Sequence, residues 1–197
     1  MNQRTATVTR KTNETDITVS LSVDGTGTAE LSVPIGFLAH MLTVFAKQAL
    51  IDLTVTATGD IGVDEHHTVE DIGIVLGTAV REAIGDKRGI ERYGFSILPM
   101  DEALATVAVD FSGRSVLTFS CPFTREKIGD MPTELFYDFW YAFAESAGAT
   151  VSITVENGRN DHHKAEALFK AMGRAIRFAL TYNPRNRAEI PSTKGTL

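Results

Sequence analysis

The sequence is short of the features that secreted and membrane proteins use. One cysteine, Cys121, is present among 197 residues, which excludes an internal disulfide and favours a reducing compartment. The first residues carry no apolar stretch of the signal-peptide kind. The most apolar window, Ile35 to Ile51, includes His40 and Lys47, so it suits an amphipathic core helix better than a membrane span. We therefore expect a cytoplasmic protein without a membrane segment.

An excess of positive charge is also missing. The formal net charge is −6, which makes a nucleic-acid-binding surface a poor prediction, although local cation clusters could still hold a small anion. What the chain does have is apolar residues, at 43% of the total, enough for a packed core. The composition predicts a globular protein that binds neither nucleic acid nor membrane.

Histidine is scarce, and its placement is the most informative feature of the chain. The five histidines occupy three places: His40, His66-His67 and His162-His163. Both pairs open an H-H-x-x-E pattern, which ends at Glu70 in the first copy and Glu166 in the second. The copies are 96 residues apart (166 − 70). One isolated pair is more often a surface or capping feature, but two copies in register indicate a repeated metal-binding unit.

The same spacing recurs outside the histidines. Four further pairs lie 96 residues apart: Val55 and Val151, Gly62 and Gly158, Gly77 and Gly173, Arg81 and Arg177. Upstream of these the offset becomes 98, where Phe45 matches Phe143 (143 − 45) and His40 falls opposite Asp138 (138 − 40). Each half alone has little core. We therefore predict one pseudo-symmetric α+β domain over 1–197, with repeats at about 1–95 and 96–190 and a tail at 191–197.

Alternating patterns and turn residues predict similar elements in both halves. Thr15 to Val23 and Thr28 to Val33 alternate on either side of Asp24 to Gly27, which predicts a hairpin. Further strands are predicted at Leu53 to Ala57, Thr106 to Phe111, Ser115 to Ser120 and Val151 to Val155. Helices are predicted from about Gly36 to Ala49, from near His66 to a stop at Gly85-Asp86, from Thr133 to Ala147, and from His162 onward.

The spacing inside each histidine pair bears on how metal is held. Neighbouring helical residues point about 100° apart, so His66 and His67 are expected to serve two ions, with Glu70 joining one of them. Four side chains per ion leave coordination positions open, which indicates catalysis rather than a structural site. Structural zinc is disfavoured because it usually requires more cysteine. The predicted metal ligands are His40, His66, His67, Glu70, Asp138, His162, His163 and Glu166.

Isolated cations in turns and on helices form a second set of candidates. Their chemistry suits a phosphate, although each one alone is more often an ordinary solvated charge. The polar tail would normally fray, so order there would indicate a ligand or a neighbouring subunit. Asp101-Glu102, after a strand, is either turn chemistry or a base. The candidate anion-binding residues are Arg92, Arg114, Lys170, Ser192 and Lys194.

These motifs together resemble the imidazoleglycerol-phosphate dehydratase family of histidine biosynthesis, nearly from end to end. The matching segments are Arg10 to Thr15, Ile35 to Leu38, His40 to Leu42, Asp64 to Asp71, Gly85 to Ile90, Arg92 to Gly94, Pro99 to Leu104, Ser112 to Arg114, Asn160 to Glu166, Phe169 to Ala171 and Pro191 to Gly195. The resemblance implies two halves like the second domain of ribosomal protein S5, two Mn²⁺ ions per active site and a 24-subunit homo-oligomer.

The resemblance also implies a reaction and a division of roles. The reaction is the metal-dependent dehydration of D-erythro-imidazoleglycerol phosphate to imidazole-acetol phosphate. The metal ligands are those named above, with Asp138 where the family usually has histidine. Catalytic carboxylates are Glu14, Glu70, Asp101 and Glu166, of which Glu14 and Asp101 are expected near the reacting carbons. The residues implied to bind the substrate phosphate are Arg92, Arg114, Lys170, Ser192 and Lys194.

The sequence departs from the family pattern at four positions. Ala39, Gln48, Asp138 and Ser152 stand where the family commonly has an aspartate or a histidine. Asp138 can still bind Mn²⁺ through its carboxylate, with added negative charge at the site. These positions leave two alternatives open beside the dehydratase: a divergent, non-catalytic metal-binding relative that keeps the assembly, and a dinuclear metal hydrolase acting on a phosphate ester.

Overall fold

Two halves of the chain repeat one order of strands and helices. The computed structural model describes residues 4–186 and 189–196. The first half contains β1 (Thr5–Lys11), β2 (Thr15–Ser22), β3 (Ala29–Ser32), α1 (Gly36–Ala49), β4 (Asp52–Gly59) and α2 (His66–Ile84). The second half contains β5 (Tyr93–Met100), β6 (Ala103–Asp110), β7 (Val116–Ser120), β8 (Lys127–Ile128), β9 (Met131–Pro132), α3 (Leu135–Ala147), β10 (Thr150–Asn157) and α4 (Asp161–Leu180).

The two main sheets have equivalent topologies. The strand order is β1-β2-β4-β3 in the first and β5-β6-β10-β7 in the second. In each sheet one pair is parallel, β3 with β4 and β7 with β10, and a helix makes the crossover between its strands. The predicted α+β fold of duplicated halves is confirmed. The chain's 96-residue periodicity therefore describes a repeat of whole supersecondary units and not only of the histidine motifs.

The predicted hairpin between the second and third strands is wrong. β3 pairs with β4, while β2 lies between β1 and β4. The real hairpin is β1 with β2, and its turn is closed by Thr12, whose Oγ1 accepts the Glu14 and Thr15 amides at 3.0 Å each. Alternation shows that a segment is a half-buried strand but does not identify its partner. A turn held by a threonine side chain also gives a weaker sequence signal than one rich in glycine.

The strand expected before Asp101 is β5, and the polarity of its two faces is inverted. Its large residues Tyr93, Phe95 and Ile97 are exposed, whereas Gly94 and Ser96 are buried. The inner face must be small since α4 packs directly on it: a Cβ on Gly94 would overlap the backbone carbonyl of Ala175. β5 belongs to the second sheet, where it pairs with β6.

The helices exchange partners between the halves. α1 packs on α4, and α2 packs on α3. At each crossing a glycine permits backbone contact: a Cβ added to Gly77 would lie 2.5 Å from the Phe143 carbonyl oxygen, and one added to Gly173 would lie 2.6 Å from that of Phe45. The four residues are related by the offsets of 96 and 98. Buried residues of both halves accordingly form one continuous core.

One connection breaks the symmetry. β3 reaches α1 through residues 33–35, but β7 reaches α3 through residues 121–134, which include the short hairpin of β8 and β9. The longer segment runs past the amino ends of α1, α2 and α4, where the histidines lie. Among residues 4–186 and 189–196, no helix has the length and apolar content that crossing a membrane requires.

Candidate metal centre

Three clusters of histidine and carboxylate form at the amino ends of the helices. They are His40 with His162 and Glu166, Glu14 with Asp60 and His67, and Asp101 with Glu102 and His163. Within each cluster the potential ligand atoms lie within 4.8 Å of one another. Imidazole nitrogen and carboxylate oxygen without thiolate suit a Mn²⁺-like ion. The donor set present in the chain thus fits the metal that the sequence predicts.

The packing of α1 on α4 builds the first cluster. Nε2 of His162 lies 3.2 Å from Oε2 of Glu166, and Nε2 of His40 lies 3.9 Å from the same oxygen. The two imidazole centroids are 5.6 Å apart, and the Phe37 ring meets His162 edge-on at 5.1 Å. Two ring nitrogens therefore converge on one carboxylate oxygen, which is the arrangement expected of side chains that share an ion.

Glu166 is held ionised in this cluster. Burial by itself would raise its pKa, but hydrogen bonds from Lys170 and His162 lower the pKa below its usual range. Lys170 Nζ lies 2.6 Å from Oε1, so one carboxylate oxygen faces a cation and the other faces the imidazoles. In the first half, Glu70 has Ile74 at the position equivalent to Lys170 (170 − 96), so no such cation is present there.

The second cluster surrounds His67, the second histidine of its pair. Nδ1 of His67 lies 3.1 Å from Oδ2 of Asp60, which follows β4, and 3.8 Å from Oε2 of Glu14 in the β1–β2 turn. The hydrogen bond with Asp60 raises the pKa of His67. Asp60 was not among the predicted site residues, since a single aspartate after a glycine reads as an ordinary turn residue.

The third cluster repeats this arrangement around His163. Its Nδ1 lies 2.7 Å from Oε2 of Glu102, and its Nε2 lies 3.6 Å from Oδ2 of Asp101. Glu102 Oε1 also accepts the backbone amides of Arg159 and Asn160 at 3.0 and 2.8 Å. The hydrogen bond with His163 and these amides lower the pKa of Glu102 to about 2. With Nδ1 held by Glu102, Nε2 of His163 is the nitrogen left for an ion.

Members of each histidine pair face different surroundings. The ring centroids are 6.1 Å apart for His66 and His67 and 6.2 Å apart for His162 and His163, with the rings nearly perpendicular. His162 joins the His40 cluster while His163 joins Glu102. Helical geometry produces this divergence, because consecutive side chains point in different directions.

Three predicted ligands stand apart from the clusters. Among the described residues, His66, Glu70 and Asp138 belong to none of the three groups. They do lie on facing helices: α2 carries His66 and Glu70, α3 carries Asp138, and a Cβ on Gly73 would lie 2.6 Å from the Phe139 carbonyl oxygen. This helix pair is the pseudo-symmetric counterpart of α1 and α4. α3, which carries Asp138, packs on α2, just as α1, which carries His40, packs on α4.

The candidate anion-binding residues are distributed over three places. Arg92 is largely buried and binds both oxygens of Asp110 at 2.6 and 3.1 Å, and the Asp110 hydrogen bond raises the Arg92 pKa. Its Nη1 also donates to the Pro191 carbonyl at 2.8 Å, so Arg92 attaches the segment that carries Ser192 and Lys194. Lys170 instead faces Glu166, and Arg114 lies in an exposed turn.

Comparison with known proteins decides the family. The family model for imidazoleglycerol-phosphate dehydratase matches residues 33–176. The chain belongs to the imidazoleglycerol-phosphate dehydratase family. Curated dehydratases from Granulibacter bethesdensis and Gluconacetobacter diazotrophicus are 53% and 54% identical over 194 residues, which is 98% of this chain and 99% and 98% of theirs. The family's name denotes a hydro-lyase, and this chain is a member over nearly its full length.

Solved structures of dehydratases agree with the fold described above. The Staphylococcus aureus imidazoleglycerol-phosphate dehydratase matches with a TM-score of 0.82 and 40% identity, covering 91% of this chain and 99% of that one. The Pyrococcus furiosus dehydratase, solved in complex with (S)-C348, matches with a TM-score of 0.83 and 36% identity over 96% and 100% of the two chains. The likeness therefore includes both halves and all of the histidine-bearing helices.

Proposed function

We propose that this chain catalyses the metal-dependent dehydration of D-erythro-imidazoleglycerol phosphate to imidazole-acetol phosphate in histidine biosynthesis. The observation that carries the proposal is the cluster of His40, His162 and Glu166, in which two imidazole nitrogens and an ionised carboxylate converge in a chain of the dehydratase family. The setting proposed for this reaction is the cytoplasm.

Two Mn²⁺ ions per active site form the next part of the proposal. Bound there, they would polarise the substrate's imidazole ring and stabilise negative charge as the hydroxyl departs. The proposed ligands are His40, His66, His67, Glu70, Asp138, His162, His163 and Glu166. A single chain supplies separate partial clusters, and exposed flanks remain on His40 and His162. We therefore propose that subunits complete each other's sites within a homo-oligomer of 24 chains.

Carboxylates on two equivalent turns are proposed to handle protons. Glu14 stands on the β1–β2 turn beside His67, and Asp101 stands on the β5–β6 turn beside His163. Their side chains are 54% and 68% exposed, so they can reach a substrate lying over the clusters. A carboxylate at either turn would accept the unactivated C–H proton. Glu70 and Glu166 would act from their places as metal ligands.

The phosphate is proposed to bind at Arg92, Arg114, Lys170, Ser192 and Lys194. Arg92 uses three of its five N–H groups on Asp110 and Pro191, which leaves two donors. Through Pro191 it also fixes the neighbouring Ser192 and Lys194. Lys170 lies beside Glu166 and contacts Met100, at the opposite end of β5 from Arg92, so Lys170 and Arg92 would have to come from different chains of the proposed homo-oligomer to bind one phosphate.

The reaction itself is the direct test. Chelator-stripped protein reloaded with Mn²⁺ and given imidazoleglycerol phosphate should release imidazole-acetol phosphate with its phosphate intact, and the gene should rescue a histidine auxotroph that lacks the dehydratase. Release of inorganic phosphate would instead indicate a hydrolase. Metal-loaded protein that neither turns over substrate nor rescues growth would overturn the proposal.

Asp138 allows a sharper test of the ligand set. If its carboxylate binds one ion, Asp138→Ala should reduce the bound Mn²⁺ and lower kcat/KM by at least about tenfold, whereas Asp138→His should keep both because imidazole also ligates Mn²⁺. Glu145→Ala, seven residues later on α3, is the matched control. An Asp138→Ala protein with wild-type metal content and activity would remove Asp138 from the site.

A further inference from the structure

We propose that residues 121–134, hereafter the 121–134 connection, position the metal-binding ends of three helices, and that Asp130 is the positioning residue for His40. This inference rests on the proposed function, since it concerns the ligands of that site. The connection has no equivalent in the first half, where residues 33–35 span the same step. It contacts α4, α1 and α2 within four residues of a predicted ligand in each case.

The attachment to α4 is buried. Asp161 is fully enclosed, and its Oδ2 accepts the amides of Thr124 and Arg125 at 2.7 and 2.8 Å and the Thr124 hydroxyl at 3.0 Å. Its other oxygen pairs with Lys164 at 2.8 Å, and Lys164 also donates to the Pro122 carbonyl at 2.7 Å. Asp161 immediately precedes His162-His163. The connection is therefore fixed to the backbone from which both histidines project.

The attachment to α1 supplies the cap that this helix otherwise lacks. Ile35 stands at the N-cap and offers no side-chain acceptor. Asp130, at the tip of the β8–β9 hairpin, accepts the Gly36 amide at 2.6 Å and the Phe37 amide at 2.9 Å. These are two of the four amides that a helix start leaves without partners. One turn later, His40 projects toward Glu166.

The attachment to α2 is the lightest of the three. Lys127 Nζ lies 3.0 Å from Oε1 of Glu65, the residue immediately before His66. Glu65 and Asp161 are equivalent in the repeat (161 − 65 = 96), so the same position in both halves contacts one connection. Because Lys127 is half exposed, this pair is expected to contribute less than the bonds of Asp130 and Asp161.

These contacts define a mechanical role. His40 comes from one half of the chain, and His162 and Glu166 come from the other. The amino ends of α1 and α4 must therefore lie side by side for Nε2 of His40 to approach Oε2 of Glu166. Asp130 and Asp161 fix those two helix starts to one segment of seven residues, Thr124 to Asp130 (130 − 124 + 1). Releasing Asp130 should let the first turn of α1 fray and move His40, while the core beneath it stays packed.

Asp52 provides a matched control. Its Oδ1 also accepts two backbone amides, those of Thr26 and Thr28 at 2.8 and 3.0 Å, but it lies past the carboxyl end of α1, away from His40. Asp130→Ala and Asp52→Ala should therefore lower Tm by similar amounts. Only Asp130→Ala should raise the Mn²⁺ Kd of one class of site. The expected increase is roughly tenfold, the lower end of the affinity loss seen when a residue that orients a metal ligand is removed. Asp130→Asn keeps an acceptor oxygen and should recover most of the affinity.

Two measurements separate this inference from the proposed function. Mn²⁺ titration of stripped protein, followed by the electron paramagnetic resonance of free Mn²⁺, gives Kd and the number of ions. Crystal structures of the metal-free variants give the His40 Nε2 to Glu166 Oε2 distance, which should lengthen in Asp130→Ala alone. Equal Kd values and equal distances in the Asp130 and Asp52 variants would overturn the inference. Wild-type protein that binds no Mn²⁺ would defeat the proposed function, and the metal-free distances would then decide the inference.

Discussion

Equivalent positions in the two halves carry the same residue where helix backbones are in contact, and different residues where side chains are partly exposed to solvent. Gly77 and Gly173 occupy equivalent helix crossings and meet equivalent carbonyl groups. Around the histidines, by contrast, Glu166 has Lys170 on its own helix and His40 opposite, whereas Glu70 has Ile74, and Asp138 lies on the facing helix. Close packing tolerates no added atom, but half-exposed ligand positions can exchange one donor for another.

The difference predicts two metal sites of unequal charge. Lys170 partly offsets Glu166 on α4, while Glu70 on α2 faces the helix that carries Asp138 and has Ile74 in place of that cation. If each set contributes to a different ion, the more negative set should hold a divalent cation more tightly. Titration of stripped protein should then resolve two classes of Mn²⁺ site.

The largest effect is expected from the two glutamates. Glu166→Gln and Glu70→Gln each remove a proposed charged ligand, so each should lower kcat/KM by at least about 100-fold and reduce the bound Mn²⁺. Activity assays and elemental analysis of the metal give the two readouts. Glu82→Gln, on the exposed end of α2, should change neither.

An unequal outcome would be as informative. Should Glu70→Gln keep wild-type metal content and activity while Glu166→Gln loses both, the two H-H-x-x-E motifs would not be equivalent ligands. The sharing of each histidine pair between ions would then be wrong for the first half.

A medium effect is expected at the helix crossings. Gly77→Ala and Gly173→Ala place a methyl group 2.5 and 2.6 Å from backbone carbonyl oxygens, and such overpacking should cost about 1–3 kcal/mol in each case. Gly62→Ala is the control, because a Cβ there meets nothing within 4 Å. Thermal unfolding of the three variants should give two equal losses and no comparable loss for the third. A tolerated Gly173→Ala would show that the crossings are not equally tight.

An effect of comparable size, but one that depends on pH, concerns acid stability at the equivalent residues Asp161 and Glu65. Burial by itself would raise the pKa of Asp161, but its bonds with Lys164 and the Thr124 and Arg125 amides hold the pKa at about 2. Since this is below the ordinary 3.8, the group contributes stability above about pH 4, and the contribution disappears as the pH falls through 2. It amounts to about 2 kcal/mol.

The difference in Tm between the wild type and Asp161→Asn should therefore be greatest above pH 4 and shrink toward pH 2. Glu65→Gln should show little change over the same range, because the pair of Glu65 with Lys127 is partly exposed. A difference for Asp161→Asn that does not vary with pH would contradict the charged, buried role of that carboxylate.

Local sequence patterns were sufficient to predict where the helices lie. The predicted limits Gly36 and Ala49 are those of α1, α2 begins at His66, and Gly85 stands at its C-cap. Helical periodicity and glycine caps are properties of short segments, so they survive without knowledge of the fold. The strands were harder to predict: β1 was not predicted, β5 was expected before Asp101 but without limits, and β2 was given β3 as its partner.

The sequence by itself determined the repeat, the family and the histidine motifs. It also determined that the two histidines of each pair point in different directions, because all of these properties depend on residue identity and helical spacing. Only the tertiary structure decided that β3 joins β4, that Asp60 and Glu102 hold the second histidines, that Arg92 faces Asp110, and that Asp130 caps α1. Those partners are distant in sequence. Their contacts arise from how the two halves pack, which no local pattern encodes.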